Sequence, residues 1–253
     1  MKNFNLNSLV RENIKNLKPY SSARDEFSGT FGVFLDANEN PFGSYNRYPD
    51  PHQKELKTQL SAIKNISTNQ IFFGNGSDEV IDLIIRIFAE PNQDEILIFD
   101  PTYGMYEVAS NINSVTLNRL PLNSLFQIDI NENLEKTLSN ERLKIIFICS
   151  PNNPTGNLIQ EESVKYILEH FNGIVVIDEA YIDFSNQPSW MTKLSEYPNL
   201  VVMQTFSKYW GLAGLRIGMC FASPEIITYL DHVKPPYNIS SVNQQQALEA
   251  LEN

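Results

Sequence analysis

The chain has 253 residues, enough for one large domain or for a large domain with part of a second, and its 42% apolar fraction is close to the globular average once the 11 glycines are added. With 19 Lys and Arg against 30 Asp and Glu the formal charge is -11, which repels a polyanionic backbone unless the few cations cluster strongly, so nucleic acid is not an expected partner. No run approaches the roughly 18 apolar residues of a membrane span, and the opening stretch MKNFNLNSLVRENIKNL lacks the continuous apolar core of a signal peptide.

In chain order, the first fifty residues are rich in Asn, Pro, Gly and Tyr and read as an irregular arm. From about residue 53 helical and strand-like patterns alternate. SDEVIDLIIRIFAE (77–90) repeats its apolar residues at three and four, which predicts a helix, and EILIFD (95–100) is a short apolar strand. KIIFICS (144–150), GIVVIDEA (173–180) and LVVMQTFS (200–207) are further strand-like runs, with a helical pattern in QEESVKYILEHF (160–171) and a helical composition in the last segment. Continuous apolar strands alternating with helices predict an α/β fold with a largely parallel sheet covered on both faces. Cys149 and Cys220 stand in apolar runs without a CxxC pairing and are expected as reduced, buried thiols of a cytoplasmic protein. His52, His170 and His232 are far apart and none has a metal-ligand spacing to a cysteine, so no metal site is expected.

Ligands of such a sheet gather at the carboxyl ends of its strands, and there the polar residues concentrate. GNGSDE (74–79) is a glycine-rich turn opening a helix, suited to a phosphate and equally to an ordinary turn with Ser77 as N-cap and Asp78 and Glu79 as first-turn acids. Asp178 ends an apolar run and needs a partner, either a structural Arg or Lys or a protonated heterocyclic nitrogen. SPNNPTG (150–156) is either a plain strand-to-helix loop or a loop that fixes the Asn153 amide as a donor. Lys208 reads alone as a surface charge, but in a dehydrated pocket an amine can form a Schiff base with an aldehyde, and Arg216 carries the planar fork that suits a phosphate. Glycines 211, 214 and 218 allow tight turns or close approach. Together these describe a ligand with a phosphate (helix N-terminus, Ser207, Arg216), a protonated ring nitrogen (Asp178), a ring oxygen (Asn153, Tyr181) and an aldehyde (Lys208). Pyridoxal 5'-phosphate has all four.

From about residue 11 to its end the chain resembles the fold-type-I pyridoxal-phosphate-dependent aminotransferases, and among them the histidinol-phosphate aminotransferase family. The resemblance is carried by RENIKNLKPYSSAR, LDANENPFG, NRYPDP, GNGSDE, PTYGMY, SPNNPTG, IDEAYIDF and TFSKYWGLAGLRIG, in that order. It implies a three-layer sandwich with a mostly parallel mixed sheet, preceded by an N-terminal arm. It implies that Lys208 holds the cofactor covalently and moves the substrate proton, that Asp178 keeps the ring nitrogen protonated, and that Asn153 and Tyr181 bond the ring oxygen under a stacked Tyr103. The backbone at Gly76 and Ser77, with Asp78 beside it, and Thr205, Ser207 and Arg216 are implied as the phosphate site. Tyr20, Asn38 and Tyr48 are implied in substrate binding, with Tyr48 reaching into the neighbouring subunit of a homodimer. The implied reaction is ping-pong amino transfer between L-histidinol phosphate and 2-oxoglutarate, giving imidazole acetol phosphate and glutamate.

The resemblance also sets an expected organisation: residues 1–50 as arm and part of a small domain, 51–253 as the large cofactor-binding domain, and a C-terminal small domain, with its substrate-binding arginine, missing from this chain. On that basis Phe31 and Phe34 are expected to lack part of their packing partner. The competing expectations are a cofactor-binding chain without full turnover and a related enzyme such as threonine-phosphate decarboxylase.

Overall fold

A computed structural model describes residues 4–21, 35 and 37–252; Phe31 and Phe34 lie outside them. Seven strands form one sheet: β1 (Ile71–Asn75), β2 (Glu95–Asp100), β3 (Thr116–Pro121), β4 (Leu143–Cys149), β5 (Ile174–Asp178), β6 (Leu200–Thr205) and β7 (Ile217–Phe221), in the spatial order β1-β7-β6-β5-β4-β2-β3. Strands β6, β5, β4, β2 and β3 pair in parallel, whereas β7 runs antiparallel to both neighbours.

The helices are the single turns α1 (Leu6–Leu9) and α2 (Glu12–Lys15), then α3 (Lys54–Lys64), α4 (Ser77–Phe88), α5 (Met105–Ile112), α6 (Glu132–Leu138), α7 (Glu161–His170), α8 (Pro224–Val233) and α9 (Ser241–Leu251). Alternate strand residues part to opposite faces, as the pleat requires. Ile145, Phe147 and Cys149 join a core with Val80, Ile84, Tyr106, Ile226 and Leu230 of α4, α5 and α8. Ile146 and Ile148 join the opposite core with Leu56, Leu60, Leu134, Ile167 and Ala247 of α3, α6, α7 and α9. Three layers result, and each fully buried Ile or Leu contributes roughly 1.5–3 kcal/mol of transfer free energy. The architecture is a mixed, mostly parallel α/β sandwich, as the resemblance implies.

Two details depart from the sequence reading. Ser77 is the first helical residue of α4 and not its cap; the cap is Gly76, at φ +77°, while the Glu79 carboxylate accepts from the Asn75 N–H at 2.6 Å. The arm contains ordered helical turns: Val10 and Ile14 are buried against the core, and Arg11 bonds the Ile87 carbonyl through its N–H and Glu90 through its guanidinium (3.0 Å each).

Candidate active site

The antiparallel β7 brings the site together. Because it opposes the other strands, its amino end lies at their carboxyl edge, with Thr205 of β6 facing Gly218 and Asn75 of β1 facing Ile217. The chain leaves β6 at Thr205, makes a loop that contains Lys208, and re-enters the sheet just after Arg216. One cleft, of about 110 Å³, is lined by Ser77, Asp78, Tyr103, Cys149, Asn153, Asp178, Ala180, Tyr181, Thr205, Ser207, Lys208 and Arg216. A larger hollow of about 290 Å³ around Leu158, Ile159, Ile182 and Trp190 contains none of these residues.

At the floor, Asp178 is 3% exposed. Its Oδ2 accepts from the Tyr106 hydroxyl at 2.7 Å and its Oδ1 from the Ala180 N–H at 3.1 Å. Burial raises its pKa; these two bonds and the Lys208 charge oppose the rise, and the Asp78 charge adds to it. Among the described residues no Lys or Arg pairs with it at ion-pair distance. Tyr103 sets its ring edge-on to Tyr106 (5.6 Å, 87°) and donates its hydroxyl to Asp78 at 3.1 Å; burial, then Asp78, pushes the phenol up to about 12.

At the mouth, Arg216 sits in the left-handed region at φ +52° with Nη2 3.4 Å from Asp78 Oδ2, and its carbonyl accepts from the Gly76 N–H at 2.7 Å. A Cβ on Gly76 would lie 2.7 Å from Arg216 Nη2, and one on Gly218 only 2.3 Å from the Ser77 nitrogen. The two glycines therefore let the amino end of α4, the guanidinium and β7 converge. The Thr205 hydroxyl accepts from the Ser207 N–H at 3.0 Å, which turns the chain toward the cleft. Lys208 has its Nζ 5.5 Å from the Tyr181 ring centroid and is exposed, so the described residues leave it wet where the sequence reading supposes a dehydrated pocket. Asn153 lines the cleft beside a cis bond to Pro154.

Tyr20, Asn38 and Tyr48 do not line the cleft. Tyr20 is 71% exposed, Asn38 is exposed with φ at +52°, and Tyr48 stacks on Tyr237 at 4.5 Å. Tyr106 is the residue the sequence reading passes over. Its signal is the three-residue spacing from Tyr103 across the entry to α5, where the two rings meet edge-on. Glu179, adjacent to Asp178, points to the opposite face, where its carboxylate accepts from Ser189 Oγ (2.5 Å), the Trp190 N–H (2.7 Å) and Gln204 Nε2 (2.9 Å).

The profile of the family described as aminotransferase class I and II matches residues 24–253, and the chain belongs to that family. Among individual proteins it is 58% identical to a histidinol-phosphate aminotransferase of Cytophaga hutchinsonii, covering 99% of this chain and 73% of that one. It is 55% identical to the Parabacteroides distasonis protein of the same name, covering 97% and 71%. Of solved structures, it superposes on the histidinol-phosphate aminotransferase of Sinorhizobium meliloti in complex with pyridoxal-5'-phosphate with a TM-score of 0.76, covering 86% of this chain and 63% of that chain at 24% identity, a likeness of fold. The Clostridium acetobutylicum counterpart gives 0.73 at 26% identity, with coverages of 83% and 62%. The chain thus spans less than two thirds of these solved structures.

The residues present fit the cofactor such a family implies. A desolvated carboxylate without a cation suits a protonated ring nitrogen. At the other end, a helix N-terminus freed of side chains by Gly76 and Gly218, with Arg216 and two hydroxyls, suits a phosphate. The Lys208 amine, bonded to no other described residue, suits an aldehyde.

Proposed function

We propose that the chain binds pyridoxal 5'-phosphate and catalyses amino transfer between L-histidinol phosphate and 2-oxoglutarate, giving imidazole acetol phosphate and glutamate, as a step of histidine biosynthesis. The observation that carries the reading is the 58% identity to a protein named for that activity over nearly all of this chain, joined to a cleft whose donor set matches the cofactor. When bound, the cofactor supplies an electron sink for the carbon that loses its proton.

The chain's residues do the rest. Lys208 supplies the amine that fixes the cofactor and, once free, holds and moves the proton at the substrate α-carbon. Asp178 faces the ring nitrogen as an anion and keeps its proton in place. Asn153 and Tyr181 bond the ring oxygen, and Tyr103 covers the ring face. The N–H groups at Gly76, Ser77 and Asp78, with Thr205, Ser207 and Arg216, hold the phosphate. Tyr20 and Asn38 belong on the substrate side, and Tyr48 serves the partner's site in a homodimer. Residues 1–50 form the arm and part of a small domain, and 51–253 the cofactor domain. We place the protein in the cytoplasm, where its two free, buried thiols stay reduced.

Borohydride treatment of protein loaded with pyridoxal phosphate, followed by peptide mapping, tests the site: the label belongs on Lys208. Single-turnover spectra with glutamate and with histidinol phosphate test the reaction. Release of carbon dioxide from threonine phosphate, with no transfer from histidinol phosphate, overturns the transaminase reading in favour of a decarboxylase.

A further inference from the structure

We propose that Tyr106 is a positioning residue, whose buried hydroxyl holds the Asp178 carboxylate in the orientation and charge state in which it meets the protonated ring nitrogen of the cofactor. The inference rests on the pyridoxal phosphate reading and concerns a residue that reading does not use.

Tyr106 is 0% exposed, and its hydroxyl lies 2.7 Å from Asp178 Oδ2. Its ring has little freedom. One face stacks on Phe147 of β4 at 4.8 Å and 13°, Tyr103 abuts it edge-on, and its own carbonyl accepts from Ser110 Oγ at 2.7 Å. Burial, then the Asp178 charge, raises the phenol well above its ordinary pKa, so it is protonated and a donor across the working pH range. With Ala180 N–H on Oδ1 and Tyr106 on Oδ2, each carboxylate oxygen has one protein donor and keeps acceptor capacity for a ligand.

A core tyrosine whose only task is to fill space has no need of the hydroxyl, and a buried hydroxyl aimed at a carboxylate acts on that carboxylate's ionisation. A donor to the charged form favours it, which counters the burial that disfavours it. The other titratable or charged groups around the pair are Cys149 of β4, whose thiol burial pushes up to about 12, Asp78 and Tyr103 toward the helix N-terminus, and Tyr181 and Lys208 at the mouth. Of the described side chains, Tyr106 is the one that bonds Asp178.

The experiment compares wild type, Y106F and D178N, each with and without pyridoxal phosphate. In the cofactor-free protein, carbon NMR of labelled aspartate follows the Asp178 carboxyl, assigned by its absence in D178N. Its titration is expected to rise by roughly one pH unit or more in Y106F. In the loaded protein, nitrogen NMR of labelled cofactor is expected to show the ring nitrogen losing its proton about one unit lower in Y106F, with cofactor affinity down roughly ten-fold. A purely structural tyrosine would change the melting temperature and move neither titration, and that result overturns the proposal. If Y106F does not fold, the wild-type Tyr106 hydroxyl proton carries the test: it is expected as a slowly exchanging resonance that D178A, which removes the acceptor, abolishes, and its survival there overturns the proposal. Failure of wild type to take up pyridoxal phosphate would defeat the functional reading, whereas a fixed Asp178 titration in the cofactor-free Y106F would defeat the role of Tyr106 alone.

Discussion

Replacing Gly218 with alanine tests the geometry of the site more sharply than replacing any of its polar residues. The added Cβ would stand 2.3 Å from the Ser77 nitrogen, 2.5 Å from the Gly76 carbonyl carbon and 2.7 Å from Ser77 Cα. Ordinary contact begins near 3.5 Å, so the amino end of α4 must retreat by about 1 Å. All three atoms are backbone, and the Gly76 N–H is tied to the Arg216 carbonyl at 2.7 Å, so no rotamer relieves the clash. Overpacking of this kind costs about 1–3 kcal/mol, which for a chain of this size lowers the melting temperature by roughly 2–12 °C. The same retreat carries the first N–H groups of α4 away from a bound phosphate, and cofactor affinity is expected to fall at least ten-fold, about 1.4 kcal/mol. Calorimetry and fluorescence titration with pyridoxal phosphate measure the two effects. Gly214 supplies the control: a Cβ there meets nothing within 4 Å, so G214A should be silent in both. If G218A matched G214A, the close approach of β7 to α4 would not be what shapes the cradle.

Lys208→Ala should abolish borohydride-stable labelling while leaving melting of the cofactor-free protein within about 0.5 kcal/mol, since Lys208 is exposed; retained labelling would place the amine elsewhere. Arg216→Gln should weaken cofactor binding roughly ten- to hundred-fold, the worth of charge-assisted hydrogen bonds, read by the same titration, and unchanged affinity would remove Arg216 from the phosphate site. Glu179 gives a pH test. Burial raises its carboxyl to about 7, against the opposing bonds from Ser189, Trp190 and Gln204. Because the folded form holds the proton more tightly than the unfolded one, its contribution is fully present below about 4.5 and lost as pH rises through about 7. The stability difference between wild type and E179Q should therefore shift by roughly 3 kcal/mol across that window, to the detriment of wild type at the higher pH. Denaturation curves at several pH values check it, and parallel profiles would refute it.

Asp178, Asn153 and Lys208 are legible in the sequence because each follows an apolar run, and a parallel sheet collects the ends of such runs at one edge. Tyr106 is not, because an aromatic inside a helical pattern reads first as core, and only its hydroxyl's reach to Asp178 separates the two roles. Strand β3 is hidden for a different reason: Thr116–Pro121 is a half-exposed edge strand, so burial does not impose a continuous apolar run on it. Tyr20, Asn38 and Tyr48 carry no periodic signal at all, and their suggested roles come from resemblance, not from any pattern in the arm.

The loop between β6 and β7 shows what a sequence leaves unsaid even where its residues are recognised. Read along the chain, glycines 211, 214 and 218 are three instances of the same freedom. In the fold they do three different things: Gly211 turns at φ +68°, Gly214 faces open space, and Gly218 is the surface on which the α4 terminus rests. The distinction follows from the direction of β7. The chain that reverses between Thr205 and Ile217 takes the left-handed region at Gly211 and again at its return, where Arg216 itself has φ +52°. The eight-residue separation of Lys208 and Arg216 therefore spans a strand reversal, which delivers an amine and a guanidinium from one connection to the same cleft.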